Sequence, residues 1–220
     1  MPDTGTGTLR HSGQDADEQP RSGRSSRSNI LKSAGVAGVA LAAGGGLLVA
    51  RPKLASPAPS PSEDVRVLNF VILLEYVQAA FYREAKGQTA LGSDLVEYAK
   101  VVGGHEDEHV AALEKALGAK TRKRPTMHFG AATRDRQKFL SAAIELEDLG
   151  VAAYNGQAEN LTSKTLVPAA EIVSVEARHA AWIRAIAGKL PATSPIDHPL
   201  TSSQVLATLA KTGFVQGLQP

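Results

Sequence analysis

The sequence predicts an all-α protein: a four-helix bundle with one long crossover, a short C-terminal helix, and a disordered leader ahead of the bundle. Three observations carry that expectation. Four segments between positions 63 and 187 repeat apolar residues at helical spacing. The connection between the second and third, about 118–133, is much longer than the other two. The halves also echo each other at an offset of about 70 residues. LEYVQAAFY (74–82) aligns with LEDLGVAAY (146–154), and HEDEHVAALEKALG (105–118) with VEARHAAWIRAIAG (175–188).

In chain order, residues 1–29 are polar, rich in Gly, Ser, Asp and Arg, and lack apolar periodicity, which predicts disorder. Residues 30–54 contain a small-residue apolar stretch, with Arg21, Arg24 and Arg27 before it and Arg51 and Lys53 at its end. A basic region followed by an apolar one predicts an export signal, or a membrane anchor if the segment is retained. RSNILK (Arg27 to Lys32) resembles a twin-arginine leader, with Ser28 in place of the second arginine and Ile30 in place of the phenylalanine. The expected location is therefore the cell envelope or the exterior. Residues 55–62 form a Pro-rich linker, and residues 63–213 the bundle domain.

The first helix is expected over about 63–86, capped by Ser62, with Glu63 and Asp64 in a first turn where the helix dipole favours acids. The second is expected over 93–117, capped by Ser93, and the third over 134–159. The fourth is expected over 168–187, with Pro168 in its first turn. The pair Thr201-x-x-Gln204 reads as a capping box opening a fifth helix near 202–210. Short loops near 87–92 and 160–167 make two antiparallel hairpins. About 15 extended residues reach on the order of 50 Å, whereas a 22-residue helix is only about 33 Å long. The 118–133 stretch can therefore run the length of the bundle.

Charge and composition narrow the partners. The first 61 residues hold 7 Lys/Arg against 4 Asp/Glu, and the remainder 17 against 18. A near-neutral folded part argues against nucleic acid as a partner. There is no cysteine, so a metal would be held by oxygen and imidazole nitrogen.

Two Glu-x-x-His pairs, Glu106–His109 and Glu176–His179, each follow a glutamate set in an apolar run about thirty residues upstream, Glu75 and Glu147. Residues i and i+3 share a helix face, and here that face is the apolar stripe directed at the bundle core. Burying an isolated carboxylate costs several kcal/mol or more, and four together would repel. Two divalent cations would neutralise them, with the imidazoles as neutral ligands. This is the ligand set of a two-metal carboxylate site in a four-helix bundle. With 13 Glu and 6 His, chance supplies about 0.35 such pairs. One pair alone is thus unremarkable, and partly exposed Glu–His pairs bridging helices are the ordinary alternative. Two pairs on core stripes, each with its upstream glutamate, favour metal.

From about 63 to 213 the chain resembles the bacterial exported ferritin-like domain proteins, relatives of the plant desiccation-related proteins. LNFVILLEYVQAAFYREA, GGHEDEHVAALEKALG, LEDLGVAAYNG, VSVEARHAAWIRA and the tail PIDHPLTSSQVLATL carry the match. The resemblance implies a ferritin-like bundle in which Glu106 and Glu176 bridge two Fe or Mn ions. Glu75 and Glu147 would be terminal carboxylates, and His109 and His179 would each cap one ion. Tyr82 and Tyr154, two turns after Glu75 and Glu147, are candidates for hydrogen bonds to the ligand carboxylates, or else for filling the bundle. The implied activity is redox chemistry with O2 or peroxide, either ferroxidase-like oxidation of iron or manganese-catalase-like dismutation that detoxifies peroxide. The alternative is a non-enzymatic envelope stress, desiccation-related or metal-sequestering protein. Homodimerisation through exposed helix faces is also implied. His105 and Glu108 are expected to point off the ligand face, Glu145 and Asp148 toward solvent or a neighbouring subunit, and His128 and His198 to be surface loop residues. Thr121 to Arg124 reads as a solvated loop.

Overall fold

The computed structural model describes residues 58–219. The expected disordered leader, export signal or anchor, and the part of the linker before Ala58 lie outside the described residues. Within them are five α-helices: α1 (Pro61–Ala85), α2 (Ser93–Leu117), α3 (Arg136–Gln157), α4 (Ser163–Ile186) and α5 (Ser202–Thr212). Short 3-10 turns and a single isolated antiparallel bridge complete the regular structure among the described residues, and there is no strand. α1 and α2 form one hairpin and α3 and α4 the other. α1 packs on α3, α2 on α4, and α5 lies against α3.

α1 is apolar nearly all round, as only a helix covered on every side can be. It is long and apolar enough to cross a membrane, yet most of it is buried within the bundle. Two sides are covered by α2 and α3, and the crossover covers the rest. Asn69 donates to the Lys120 carbonyl (2.9 Å) and accepts from the Arg122 backbone N–H (2.7 Å). Further along, Tyr76 donates to Glu114 (3.0 Å), and Arg124 lies over its ring, 4.4 Å from the centroid. Phe81 meets Phe129 edge-on, and near the end of α1 Glu84 accepts from the Thr133 hydroxyl (2.6 Å). The crossover thus tracks α1 from Asn69 to Glu84. Arg122 and Arg124 are exposed in a loop, as expected, and are also tied to α1 and α2 by these bonds and by the Arg124–Glu114 ion pair.

The C-terminal segment clamps the crossover. The His128 N–H donates to the Phe214 carbonyl (2.9 Å), and the Gln216 N–H to the Thr126 carbonyl (3.0 Å). Phe214 joins Phe81 and Phe129 in one aromatic cluster, with Phe139 stacked on Phe81. The segment leading into α5 lies directly on α3, where a Cβ at Gly156 would fall 1.8 Å from the Leu200 carbonyl oxygen. The expected capping box of α5 is formed by Thr201 and Gln204.

Several helix boundaries differ from expectation for local reasons. Ser60, not Ser62, caps α1 by accepting from the Glu63 N–H (3.2 Å), so Pro61 takes the first helical position, where its missing N–H costs nothing. Gly92, at φ 89°, occupies the cap position of α2 and places Ser93 inside the helix. α3 begins at Arg136, capped by Asp135. α4 begins at Ser163, five residues before Pro168, which therefore sits inside the helix. The reason is a contact from the other hairpin. Asp64 accepts from the Thr162 N–H (2.8 Å), the Thr162 hydroxyl (2.6 Å) and the Thr165 hydroxyl (2.6 Å). A carboxylate from the first turn of α1 thereby caps α4 and extends it by a turn on the N-terminal side of Pro168. Asp64→Ala should lower stability by about 2 kcal/mol in urea unfolding, the loss of a buried charged cap, with Asp64→Asn closer to wild type.

Candidate metal centre

All six candidate ligands converge between the four helices. Glu75 lies mid-α1, Glu106 and His109 on α2, Glu147 mid-α3, and Glu176 and His179 on α4. The four glutamates are fully buried, and His179 and His109 are 2% and 9% exposed. The i,i+3 spacing sets each histidine over its own glutamate, and the core-facing register of each stripe directs both inward.

The ligand atoms form two overlapping groups, one of Glu75, Glu106, His109 and Glu176, the other of Glu106, Glu147, Glu176 and His179. Within each group one atom per residue lies within 4.8 Å of all the others. Nδ1 of His109 is 3.3 Å from Glu75, 3.4 Å from Glu106 and 3.2 Å from Glu176. Nδ1 of His179 is 3.1 Å from Glu106, 3.3 Å from Glu147 and 3.7 Å from Glu176. Glu106 turns Oε2 toward His109 and Oε1 toward His179. Only Glu106 and Glu176 belong to both groups.

An outer layer of donors holds three of the four carboxylates, Glu75, Glu147 and Glu176, by one oxygen and leaves the other facing inward. Tyr154 donates to Oε1 of Glu75 (2.5 Å), and Tyr82 donates to Oε1 of Glu147. Gln78 donates to Oε2 of Glu176 (3.0 Å) and, more weakly, to Oε1 of Glu147 (3.4 Å). Each tyrosine reaches the glutamate of the opposite hairpin. Seven residues of helix rise about 10 Å, too far for Tyr82 to return to Glu75 or Tyr154 to Glu147. The inward atoms, which include Oε2 of Glu75, both oxygens of Glu106 and Nδ1 of both histidines, have no hydrogen-bond partner. Buried polar atoms are rarely left this way, and an oxygen-and-imidazole set of this kind is what a hard or borderline divalent cation requires. The residues present therefore fit metal binding.

Gly150 makes room for the arrangement. A Cβ there would lie 2.6 Å from Oε2 of Glu176 and 3.3 Å from the Gln78 amide nitrogen. A mid-helix glycine costs roughly 1 kcal/mol relative to alanine, yet alanine would displace the Glu176 carboxylate.

Protonation reflects crowding. Burial, then the charge of Glu176, pushes Glu106 well above the carboxylate range. Burial, then the charge of Glu75, raises Glu176 to about 7. Burial pulls both imidazoles down, but the surrounding carboxylates outweigh it, raising His109 to about 12 and His179 to about 10. Burial and the nearby glutamates raise Tyr82 and Tyr154, which keeps both phenols protonated and donating. Without metal, protons balance the cluster's charge.

A family model for the ferritin-like domain matches residues 63–189. The chain belongs to the ferritin-like family. No curated protein matches it in sequence.

Around this ferritin-like centre one residue departs from expectation. His105, expected to point off the ligand face, places Nδ1 2.9 Å from Nε2 of His179, with the rings 15° from coplanar. The signal was available, because His105 precedes His109 by four residues and so shares its face. Partial burial, then His179 and His109, hold its imidazole below the usual range. Asp148 pairs with Arg184, while Glu108, Glu145, His128 and His198 are exposed. A cleft of about 300 Å³ between α2 and α4, lined by His105, His109, His179 and Trp182, reaches the centre. The larger cavity, about 760 Å³, lies on the outer side of α3 and α4 and includes none of the six ligands.

Gly150→Ala should fold but lose most of its metal affinity, read by calorimetric titration. Proton linkage supplies a second expectation. Glu176 stabilises the metal-free fold fully below 4.5, and that contribution is lost as pH rises to about 7. The histidine contributions are complete below 6.5 and lost through about 10 for His179 and about 12 for His109. All act in one direction, so metal binding at pH 7 should release about two or more protons per chain. The Tm gap between loaded and metal-free protein should widen from pH 5 to pH 8.

Proposed function

We propose that the protein carries a dinuclear iron or manganese centre with redox activity toward O2 or peroxide. The observation that carries this reading is the pair of overlapping ligand groups sharing Glu106 and Glu176, with the inward atoms of all six residues free of other partners. Glu106 and Glu176 would bridge the two ions, Glu75 and Glu147 would bind one each, and His109 and His179 would supply one nitrogen each. Carboxylate and imidazole donors without thiolate suit iron or manganese better than copper or zinc. Bound as a pair, such ions supply one-electron chemistry with dioxygen or peroxide.

The remaining roles belong to the chain. Tyr82, Tyr154 and Gln78 each hold a carboxylate oxygen and fix the orientation of the ligand. The surrounding apolar side chains exclude bulk water, which strengthens every charge interaction in the centre. The cleft between α2 and α4 provides a route for a molecule the size of peroxide. Within this reading the basic and apolar segment over 21–54 delivers the domain to the cell envelope or beyond.

Reconstitution with Fe(II) or Mn(II) should give two ions per chain by elemental analysis. The double variant Glu106→Ala, Glu176→Ala should hold fewer than one. Wild type should consume O2 or peroxide and the double variant should not. Fewer than one tightly bound ion in wild type would sink the proposal, whereas two bound ions without turnover would leave metal sequestration as the function.

A further inference from the structure

The internal repeat makes the six ligands nearly twofold symmetric, but two surrounding side chains are not. His105 sits one residue before Glu106, and the matching position before Glu176 is Val175, which has no hydrogen-bonding group. Gln78 follows Glu75 by three residues, and the matching position after Glu147 is Gly150. His105 holds Nε2 of His179, and Gln78 donates to Glu147 on that same side (3.4 Å) as well as to Glu176, which both ligand groups share (3.0 Å). On the other side the terminal ligand Glu75 has its one bond from Tyr154, and His109 is the more exposed histidine.

Resting on the metal-centre reading above, we propose that His105 is a positioning residue for His179. With Gln78 it makes the Glu147/His179 position the tighter of two unequal metal positions. The physical basis is tautomer and orientation. For Nδ1 of His179 to bind a cation, the neutral ring carries its proton on Nε2. Nδ1 of His105, 2.9 Å away, accepts that proton's hydrogen bond. The ring is thereby held in orientation, aimed at Glu106 and Glu147, before a metal arrives, and it keeps the Nε2 proton when Nδ1 loses its own to make way for the cation. An outer partner of this kind contributes roughly 10–100-fold in metal affinity. His109 has no counterpart, so the same ion at the Glu75 side binds a less prepared set.

The test is titration of the metal-free full chain with cobalt(II), followed by calorimetry and by visible ligand-field absorption. Two steps at least about tenfold apart are expected for wild type, and His105→Val should weaken the tight step by about tenfold or more while leaving the weak step in place. His105→Asn, which restores an acceptor near the same point, should recover the tight step and its absorption spectrum. His105 is exposed on α2, so the variants should fold, and their metal-free Tm should match wild type. Two equal steps in wild type would overturn the inference and leave the metal centre standing. So would a His105→Val variant that weakens both steps alike or neither, or a His105→Asn variant that behaves as the valine does. Failure to bind cobalt at all would overturn the metal-centre reading and this inference with it.

Discussion

Four buried carboxylates share the space between four helices, and among the described residues no lysine or arginine pairs with them. Their mutual repulsion and the cost of removing each from water must be met by something inside the bundle. Protons on the two imidazoles and on Glu106 and Glu176 meet it in the metal-free chain. Divalent cations would meet it more completely, because each ion answers two negative charges and gives the orphaned inward atoms a partner at the same time. A simple helical core would need none of the buried glutamates, the glycine beside Glu176 or the tyrosines aimed at carboxylate oxygens. These features make sense together only as a housing for charge.

The scaffold supplies rigidity around that charge. α1 contributes a single ligand yet is the most buried helix, enclosed by α2, α3 and the crossover. Asn69, Tyr76, Phe81 and Glu84 each hold a successive part of the crossover. The segment after α5 fastens the crossover again through the Met127–Val215 bridge. Asp64 ties the start of α1 to the start of α4 across the hairpins. The gap on the α2–α4 side is the contrast. There the packing opens into a cleft that ends at the two histidines.

The helices and their order were legible because periodicity, connection length and the repeat are local or nearly local signals. The convergence of the six residues was readable because i,i+3 spacing on an apolar stripe is a geometric statement. What escaped depended on contacts distant in sequence. α4 starts at Ser163 because of a carboxylate on α1, which no inspection of residues 160–170 reveals. Arg122 and Arg124 are solvated as read, but their bonds to α1 and α2 depend on the path of the crossover. His105 looks turned away when set beside its neighbour Glu106, and inward when set beside its helical partner His109. In sequence Gln78 is only one position of a stripe. Its role depends on the space left by Gly150, on another helix.

The two tyrosine bonds cross between the halves of the repeat: Tyr82 of the first hairpin holds Glu147, and Tyr154 of the second holds Glu75. Neither hairpin contains a finished half-site. Each provides ligands that the other keeps in place, so the centre exists only where both are docked. Two separate hairpins would have to find one another, and occupancy would follow protein concentration. Joined through the crossover, the halves meet at an effective concentration set by a tether rather than by the cell. The long connection between α2 and α3 is therefore also what lets one molecule, at any dilution, assemble the whole centre.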